Sequence, residues 1–166
     1  FRSEYGDKTL EYPLFGSEGV SSFKKIDLRT EHNFSWSFYG DARNTMVRDP
    51  YARELGGAMG EPYTRSRYYH LYLNGQYWGI YQTEERPEAD YAASYFGGKD
   101  SDYDVIKVEW GPFTMYATDG DMNGWYRVWQ ACQAGFASDE AYYKACGLNL
   151  DGTRNPNYEV LVDPTN

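Results

Sequence analysis

The chain has 166 residues, enough for one domain with a real hydrophobic core. Aromatic residues make up 19% of it, which is typical of a folded protein and excludes a disordered one. The net charge of −9 argues against nucleic-acid binding, because phosphate recognition needs clustered lysine and arginine, and no apolar run is long enough to span a membrane.

The first sixty residues show a strand pattern followed by a helix pattern. Residues 23–29 alternate apolar and polar side chains, which predicts a strand with one buried face. Residues 42–59 predict a helix, with Asp49-Pro50 as an internal start signal and Gly56-Gly57 as a weak point near its end.

The strongest local signal is a β-hairpin. Residues 68–73 and 76–81 are rich in aromatic and aliphatic strand formers. Between them, Asn74 and Gly75 tolerate the positive φ angles that a type I′ turn requires. The pattern therefore predicts two antiparallel strands joined by a two-residue turn.

The second half of the chain reads mainly as helix. Glycines 97 and 98 close the first of these helices, and Ser138 is the expected N-cap of the last. The predicted helices are 87–96, 124–134 and 138–146, with a strand at 103–108 and a loop at 149–157.

These elements predict an α+β fold, with an antiparallel sheet around the central hairpin and helices packed against it. We expect residues 1–166 to be one incomplete domain, in which 1–85 form the sheet and its helix and 86–166 a helical continuation. The chain starts without Met in what reads as a strand, and Asp163-Pro164 predicts a helix start just before it stops. We therefore expect further sequence at both ends.

The segment 119–124 resembles the first half of a calcium-binding EF-hand loop. The twelfth position is Gln130, which cannot supply a bidentate carboxylate. We favour a solvated turn in which Asp121 or Asn123 caps the helix that follows.

No other metal or catalytic motif is present. His32 and His70 are far apart in sequence and lack metal-ligand spacing, so we predict no metal site, and His70 is expected on a sheet face. Cys132 and Cys146 can form a disulfide if their Cα atoms approach within about 7 Å, or remain free thiols. Serine-hydrolase, Walker and dinucleotide-binding motifs are absent.

Glu84 is a candidate cleft residue, because it follows the predicted end of the second hairpin strand, where a chain leaves its sheet. The alternative is that it is simply an acid at a solvated strand terminus.

Several blocks together resemble the CotH (spore coat protein H) kinase family. The first three are residues 1–16, the strand ending in Leu28-Arg29, and the Arg48-Asp49 pair opening a helix. The fourth is the Leu-Tyr-x-Asn-Gly-x-Tyr-x-Gly-x-Tyr pattern that starts at Leu71 and leads to Glu84. It contains Asn74, Gly75 and Gly79. The resemblance implies structural roles for Arg48, Asp49, Asn74, Gly75 and Gly79.

The resemblance implies an atypical protein-kinase-like fold, here the small lobe from its third strand onward plus the start of the large lobe. It implies ATP and Mg²⁺ as cofactors. Arg29 then lies on the strand that normally carries a phosphate-binding lysine, in competition with Lys24 and Lys25. Glu54 is the expected helix partner of that cation.

The resemblance further implies that Gln82 and Glu84 belong to the nucleotide-binding hinge, at residues 82–85. The catalytic and metal-binding aspartates are expected after position 166, so catalytic residues stay unknown within this chain and it is expected to be inactive alone. The implied partner is a coat or surface protein, and the implied location is the bacterial cell surface or spore coat.

Two alternatives are a non-catalytic member of the same family that serves in adhesion or coat assembly, and an aromatic-rich carbohydrate-binding domain.

Overall fold

The computed structural model describes residues 1–30, 35, 38–40 and 42–164. It confirms the α+β fold class, with small antiparallel sheets and helices. The strands are β1 Leu10–Glu11, β2 Ser22–Phe23, β3 Ile26–Arg29, β4 Ser66–Leu73, β5 Gln76–Glu85, β6 Val105–Val108 and β7 Met115–Asp119. The α-helices are α1 Arg48–Ala58, α2 Ala89–Phe96, α3 Asn123–Ala134 and α4 Asp139–Ala145.

The described residues divide into two compact units, 1–97 and 98–166. The first contains a three-stranded antiparallel sheet in the order β3-β5-β4, with β5 in the centre. The second contains the β6-β7 hairpin with α3 and α4.

The predicted strand at 23–29 is in fact two strands. β2 pairs with β1, whereas β3 pairs with β5, so Lys24 and Lys25 lie where the chain changes its pairing partner. Phe23 remains buried and packs edge-on against the fully buried Phe15, with 5.5 Å between ring centroids.

The β4-β5 hairpin is confirmed. Leu73 pairs with Gln76, and both turn residues, Asn74 and Gly75, have positive φ (50° and 81°), as a type I′ turn requires. The register shifts beside Leu71, and Gly79, which pairs with it, has a φ of 136°, so glycine suits this bulge.

Strand β5 extends four residues beyond its predicted end, because β3 pairs along its other edge. The prediction that Glu84 lies past the strand was therefore wrong. Glu84 lies inside β5, paired with Asp27 on one side and Ser66 on the other.

Helix α1 begins at Arg48 rather than at residue 42. Its start is the Asp49-Pro50 signal, since proline suits the first turn, where the missing N–H has no intrahelical acceptor. At the other end, the ring of Tyr63 approaches the Cα of Gly57 so closely that a β-carbon there would lie 2.5 Å from it.

The remaining helices agree closely with the sequence prediction. Helix α2 ends at Gly97, which has a φ of 88°, and the hydroxyl of Ser138 accepts the backbone N–H of Ala141 at the start of α4. Strand β7 was not predicted, so the second unit is not purely a helical continuation.

Cys132 is exposed and Cys146 is buried, and both are free thiols. Within the described ranges no helix is long and apolar enough to cross a membrane.

Candidate functional site: an arginine–carboxylate cluster on the central sheet

The buried end of β5 is polar. Gln82, Thr83, Glu84 and Glu85 are each less than a tenth exposed. Strand β3 lies along one edge of this part of β5 and β4 along the other. Successive side chains of a strand point to opposite faces. Glu84 therefore points towards α1, and Glu85 towards α2.

Glu84 belongs to a closed ring of four charged side chains. Arg29 Nη1 lies 3.0 Å from Glu84 Oε2 and 3.0 Å from Asp49 Oδ2. Arg53 completes the ring, with Nη2 3.2 Å from Asp49 Oδ2 and Nη1 3.5 Å from Glu84 Oε1. The ring joins β3, α1 and β5, and its formal charges sum to zero.

The four side chains differ in exposure, and this decides which one can meet a ligand. Counting side-chain atoms alone, Glu84 is 10% exposed, Arg53 16%, Asp49 26% and Arg29 45%. Arg29 is therefore the corner of the ring that faces solvent. Both carboxylates are engaged by arginines, so the ring presents a positioned guanidinium rather than an open acid.

Thr64 fixes the buried side of the ring. Its carbonyl and hydroxyl oxygens accept hydrogen bonds from Arg53 Nη1 at 2.7 and 3.0 Å, and its hydroxyl donates to Glu84 Oε1 at 3.3 Å. Oε1 of Glu84 is thus held by Thr64 and Arg53 together, and Oε2 by Arg29.

Glu85 organises a second cluster on the α2 face. Its carboxylate accepts hydrogen bonds from the backbone N–H of Arg65 (2.8 Å), from the Arg65 guanidinium (3.2 Å) and from the Tyr95 hydroxyl. The guanidinium also lies over the rings of Tyr63 and Tyr95, 4.6 and 4.2 Å from their centroids. Burial, together with the bond to Glu85, raises the pKa of Tyr95 to about 12.

The structure brings some of the predicted site residues together and separates others. Arg29, Asp49 and Glu84 meet in the ring, and Gln82 pairs with Arg29 across β3 and β5 with its side chain fully buried. Glu54 is exposed, and its negative charge is one of the contributions that raise the pKa of Arg67. Lys25 pairs with the buried Glu88.

Residues 82–85, which were predicted to form the hinge, belong to the central strand β5. This part of β5 pairs with β3 on one side and with β4 on the other. Arg48, another predicted structural residue, donates to the carbonyl of Arg43 at 3.3 Å.

The sequence interpretation missed Arg53 and Thr64. The spacing of Asp49 and Arg53, four residues apart on one helix, is a signal that could have identified Arg53. Thr64 has no such signal, because it joins the ring only through the tertiary fold.

The sequence offered two further sets of candidates, the turn at 119–124 and the two histidines. Asp121 accepts the backbone N–H of Asn123 at 2.7 Å in the turn before α3. The N-cap of α3 is Met122 and no side chain caps the helix, so the prediction that Asp121 or Asn123 caps it was wrong. His70 is exposed and bonds to the Tyr77 hydroxyl at 3.1 Å, whereas His32 lies outside the described residues. The described part of the chain holds no group of three or more His, Cys, Asp or Glu side chains suited to a metal ion.

A comparison with protein families identifies the chain. The model of the family described as CotH kinase protein matches residues 4–161, nearly the whole length. The chain belongs to the CotH kinase family. No significant match was found among curated proteins or among solved structures.

Within this family assignment, the α+β fold is compatible with a kinase-like fragment. Arg29 on β3 pairs with Asp49 on α1 at 3.0 Å, whereas the resemblance implied Glu54 as the helix partner of the strand cation.

Proposed function

We propose that this CotH-family chain supplies the nucleotide-binding part of a protein kinase, which transfers a phosphoryl group from ATP to a coat or surface protein outside the cell. The observation that carries the proposal is the half-exposed Arg29 guanidinium, held between Asp49 on α1 and Glu84 on β5. A fixed guanidinium presents several N–H donors in one plane, the geometry that suits phosphate oxygens.

The described residues fit ATP better than they fit Mg²⁺. Arg29 can meet a phosphate group, while Asp49 and Glu84 hold the Arg29 side chain in place. The buried Gln82 is the neighbour of Arg29 on β5. In this proposal Asp49 takes the part expected of Glu54. The nearby carboxylates are occupied by arginines, so no step here is assigned to a metal ion.

The proposal is tested on the product of the full gene. We expect Mg-ATP to raise its melting temperature and labelled phosphate to be incorporated from [γ-³²P]ATP, since phosphoryl transfer depends on positioned phosphates and acceptor. Arg29→Met should weaken nucleotide binding roughly tenfold or more, the value of a lost charge-assisted hydrogen bond. Isothermal titration calorimetry measures this affinity.

Arg67→Met is the matched control. Arg67 is also an ion-paired arginine of the sheet, but its partner is Glu18 and it points to the opposite face. We expect the Arg67→Met variant to bind Mg-ATP with the affinity of the wild type. A full-length protein with no nucleotide-dependent thermal shift and no phosphate incorporation would refute the proposal, and binding without transfer would favour a non-catalytic family member.

A further inference from the structure

Arg53 is the one charged member of the ring that neither a motif nor the family resemblance singled out. We propose that Arg53 is a positioning residue of the anion site, acting through Asp49 and Glu84 to set both the orientation and the effective charge of Arg29. This inference rests on the proposed function for the identity of the ligand, a phosphate-bearing anion.

The position of Arg53 is closely defined by its contacts. Its two terminal nitrogens reach different carboxylates, Asp49 at 3.2 Å and Glu84 at 3.5 Å, and one of them also donates to the carbonyl oxygen of Thr64 at 2.7 Å. Because the guanidinium is planar and rigid, these contacts fix the two carboxylates relative to each other. Arg29 bonds to the same two carboxylates from the solvent side.

Arg53 also sets the charge that an approaching anion meets. With Arg53 present, two carboxylates are balanced by two guanidinium groups. Without it, both carboxylates would face Arg29 alone, and the cluster would carry a net charge of −1. Because the site is mostly buried, this charge is screened less than it would be in open solvent.

Two consequences follow for Arg29 when Arg53 is lost. The two carboxylates, no longer shared with Arg53, draw the Arg29 guanidinium inward, and the one excess negative charge repels phosphate. Both effects weaken anion binding although Arg53 itself contacts no ligand.

The test uses the full gene product with Arg53→Met, and Arg67→Met as the control that removes the same charge from the opposite sheet face. Calorimetry with Mg-ATP and with tripolyphosphate gives the affinities, at a temperature where thermal melts show each variant folded. We expect Arg53→Met to weaken both ligands about tenfold. Arg67→Met should stay within about twofold of the wild type.

A second readout does not depend on nucleotide. Phenylglyoxal modifies accessible guanidinium groups, and mass spectrometry of the peptide containing Arg29 gives its rate of modification. We expect slower modification of Arg29 in Arg53→Met and an unchanged rate in Arg67→Met. A purely structural role would lower the melting temperature and leave both this rate and the affinities unchanged, and that result overturns the inference.

If Arg53→Met does not fold, the same two measurements are made on Arg53→Lys. Lysine keeps the charge but cannot bridge two carboxylates with a planar fork. We expect an intermediate loss of affinity, and wild-type values of both readouts overturn the inference. If the wild type binds no nucleotide, the proposed function fails, and the modification rate of Arg29 alone decides the role of Arg53.

Discussion

Glu84 and Glu85 are adjacent in sequence but connect the sheet to different helices. Glu84 joins the ring with Arg29, Arg53 and Asp49 on the α1 face, whereas Glu85 binds Arg65 and Tyr95 on the α2 face. Both are buried, and a buried carboxylate that loses its partners is strongly destabilising. This pair of residues therefore fixes both helices to the central strand.

The Glu85 cluster predicts a specific dependence of stability on pH. Burial and the bond to Glu85 raise the pKa of Tyr95 from 10.0 to about 12. Between these values the unfolded chain releases a proton that the folded protein keeps, so the free energy of unfolding falls as pH rises. We expect Tyr95→Phe to be less stable near neutral pH, because its hydrogen bonds are lost, but to lose less further stability in this alkaline window.

Urea unfolding at a series of pH values from neutral to alkaline measures this slope. Tyr5→Phe is the control, because Tyr5 is 83% exposed. An alkaline slope in Tyr95→Phe equal to that of the wild type would show that Tyr95 does not titrate in this window.

At this scale the sequence identified part of the site. Arg29, Asp49 and Glu84 were singled out from conspicuous blocks, and the structure places them in one ring. Glu54 was expected as the partner of Arg29 because the family resemblance implies a helix glutamate there, but the angular position of a helix over a sheet depends on packing. Which helix acid faces β3 is therefore decided by tertiary contacts.

At the scale of elements, α1 is bonded to the sheet at its first half and contacts the loop before β4 at its second half. Its first half carries Asp49 and Arg53, and at its second half the ring of Tyr63 fills the space beside Gly57. That ring is itself confined, since Arg65 lies over it and the Tyr63 carbonyl accepts the Tyr91 hydroxyl at 2.6 Å.

Neighbouring glycines of α1 should therefore respond to alanine with opposite signs. In Gly57→Ala the new methyl group would lie 2.5 Å from the Tyr63 ring, and such overpacking typically costs about 1–3 kcal/mol. In Gly56→Ala the nearest atom is 3.9 Å away, so the higher helix propensity should add about 0.5–1 kcal/mol. Urea unfolding of both variants measures the difference. Equal stabilisation would mean that Tyr63 can move away from α1.

Local sequence signals predicted which helices and strands exist better than they predicted where those elements begin and end. The Asn74-Gly75 hairpin and the Ser138-capped α4 depend on residues close in sequence, and both were predicted. The length of β5 depends on pairing with β3, some fifty residues earlier in the chain. Such a distant partner leaves little trace in local periodicity. Strand β7 was missed although its partner β6 lies close by in the sequence.

At the scale of the whole molecule, the described residues form two compact units, 1–97 and 98–166. The sequence prediction of one incomplete domain stays a prediction. The candidate site lies entirely within the first unit. The second has its own close junction, where Gly120 lies against Asp104 and the Asp104 carboxylate accepts the backbone N–H of Asp121 at 2.8 Å.

Substitution at this junction tests whether the two units are also separate units of folding. Gly120 has a φ of 65°, and a β-carbon there would lie 1.9 Å from Asp104 Oδ1, so Gly120→Ala should disrupt the turn between β7 and α3. Gly135→Ala is the control, because its φ of 72° imposes similar backbone strain with no atom within 4 Å of the new methyl group.

Hydrogen–deuterium exchange followed by mass spectrometry reports on each unit separately. We expect Gly120→Ala to speed exchange in peptides from 98–166 more than Gly135→Ala does, and to leave peptides from 1–97 at wild-type rates. Faster exchange across both units would instead show one cooperative domain, as the sequence predicted, because a local clash would then lower the stability of the whole chain.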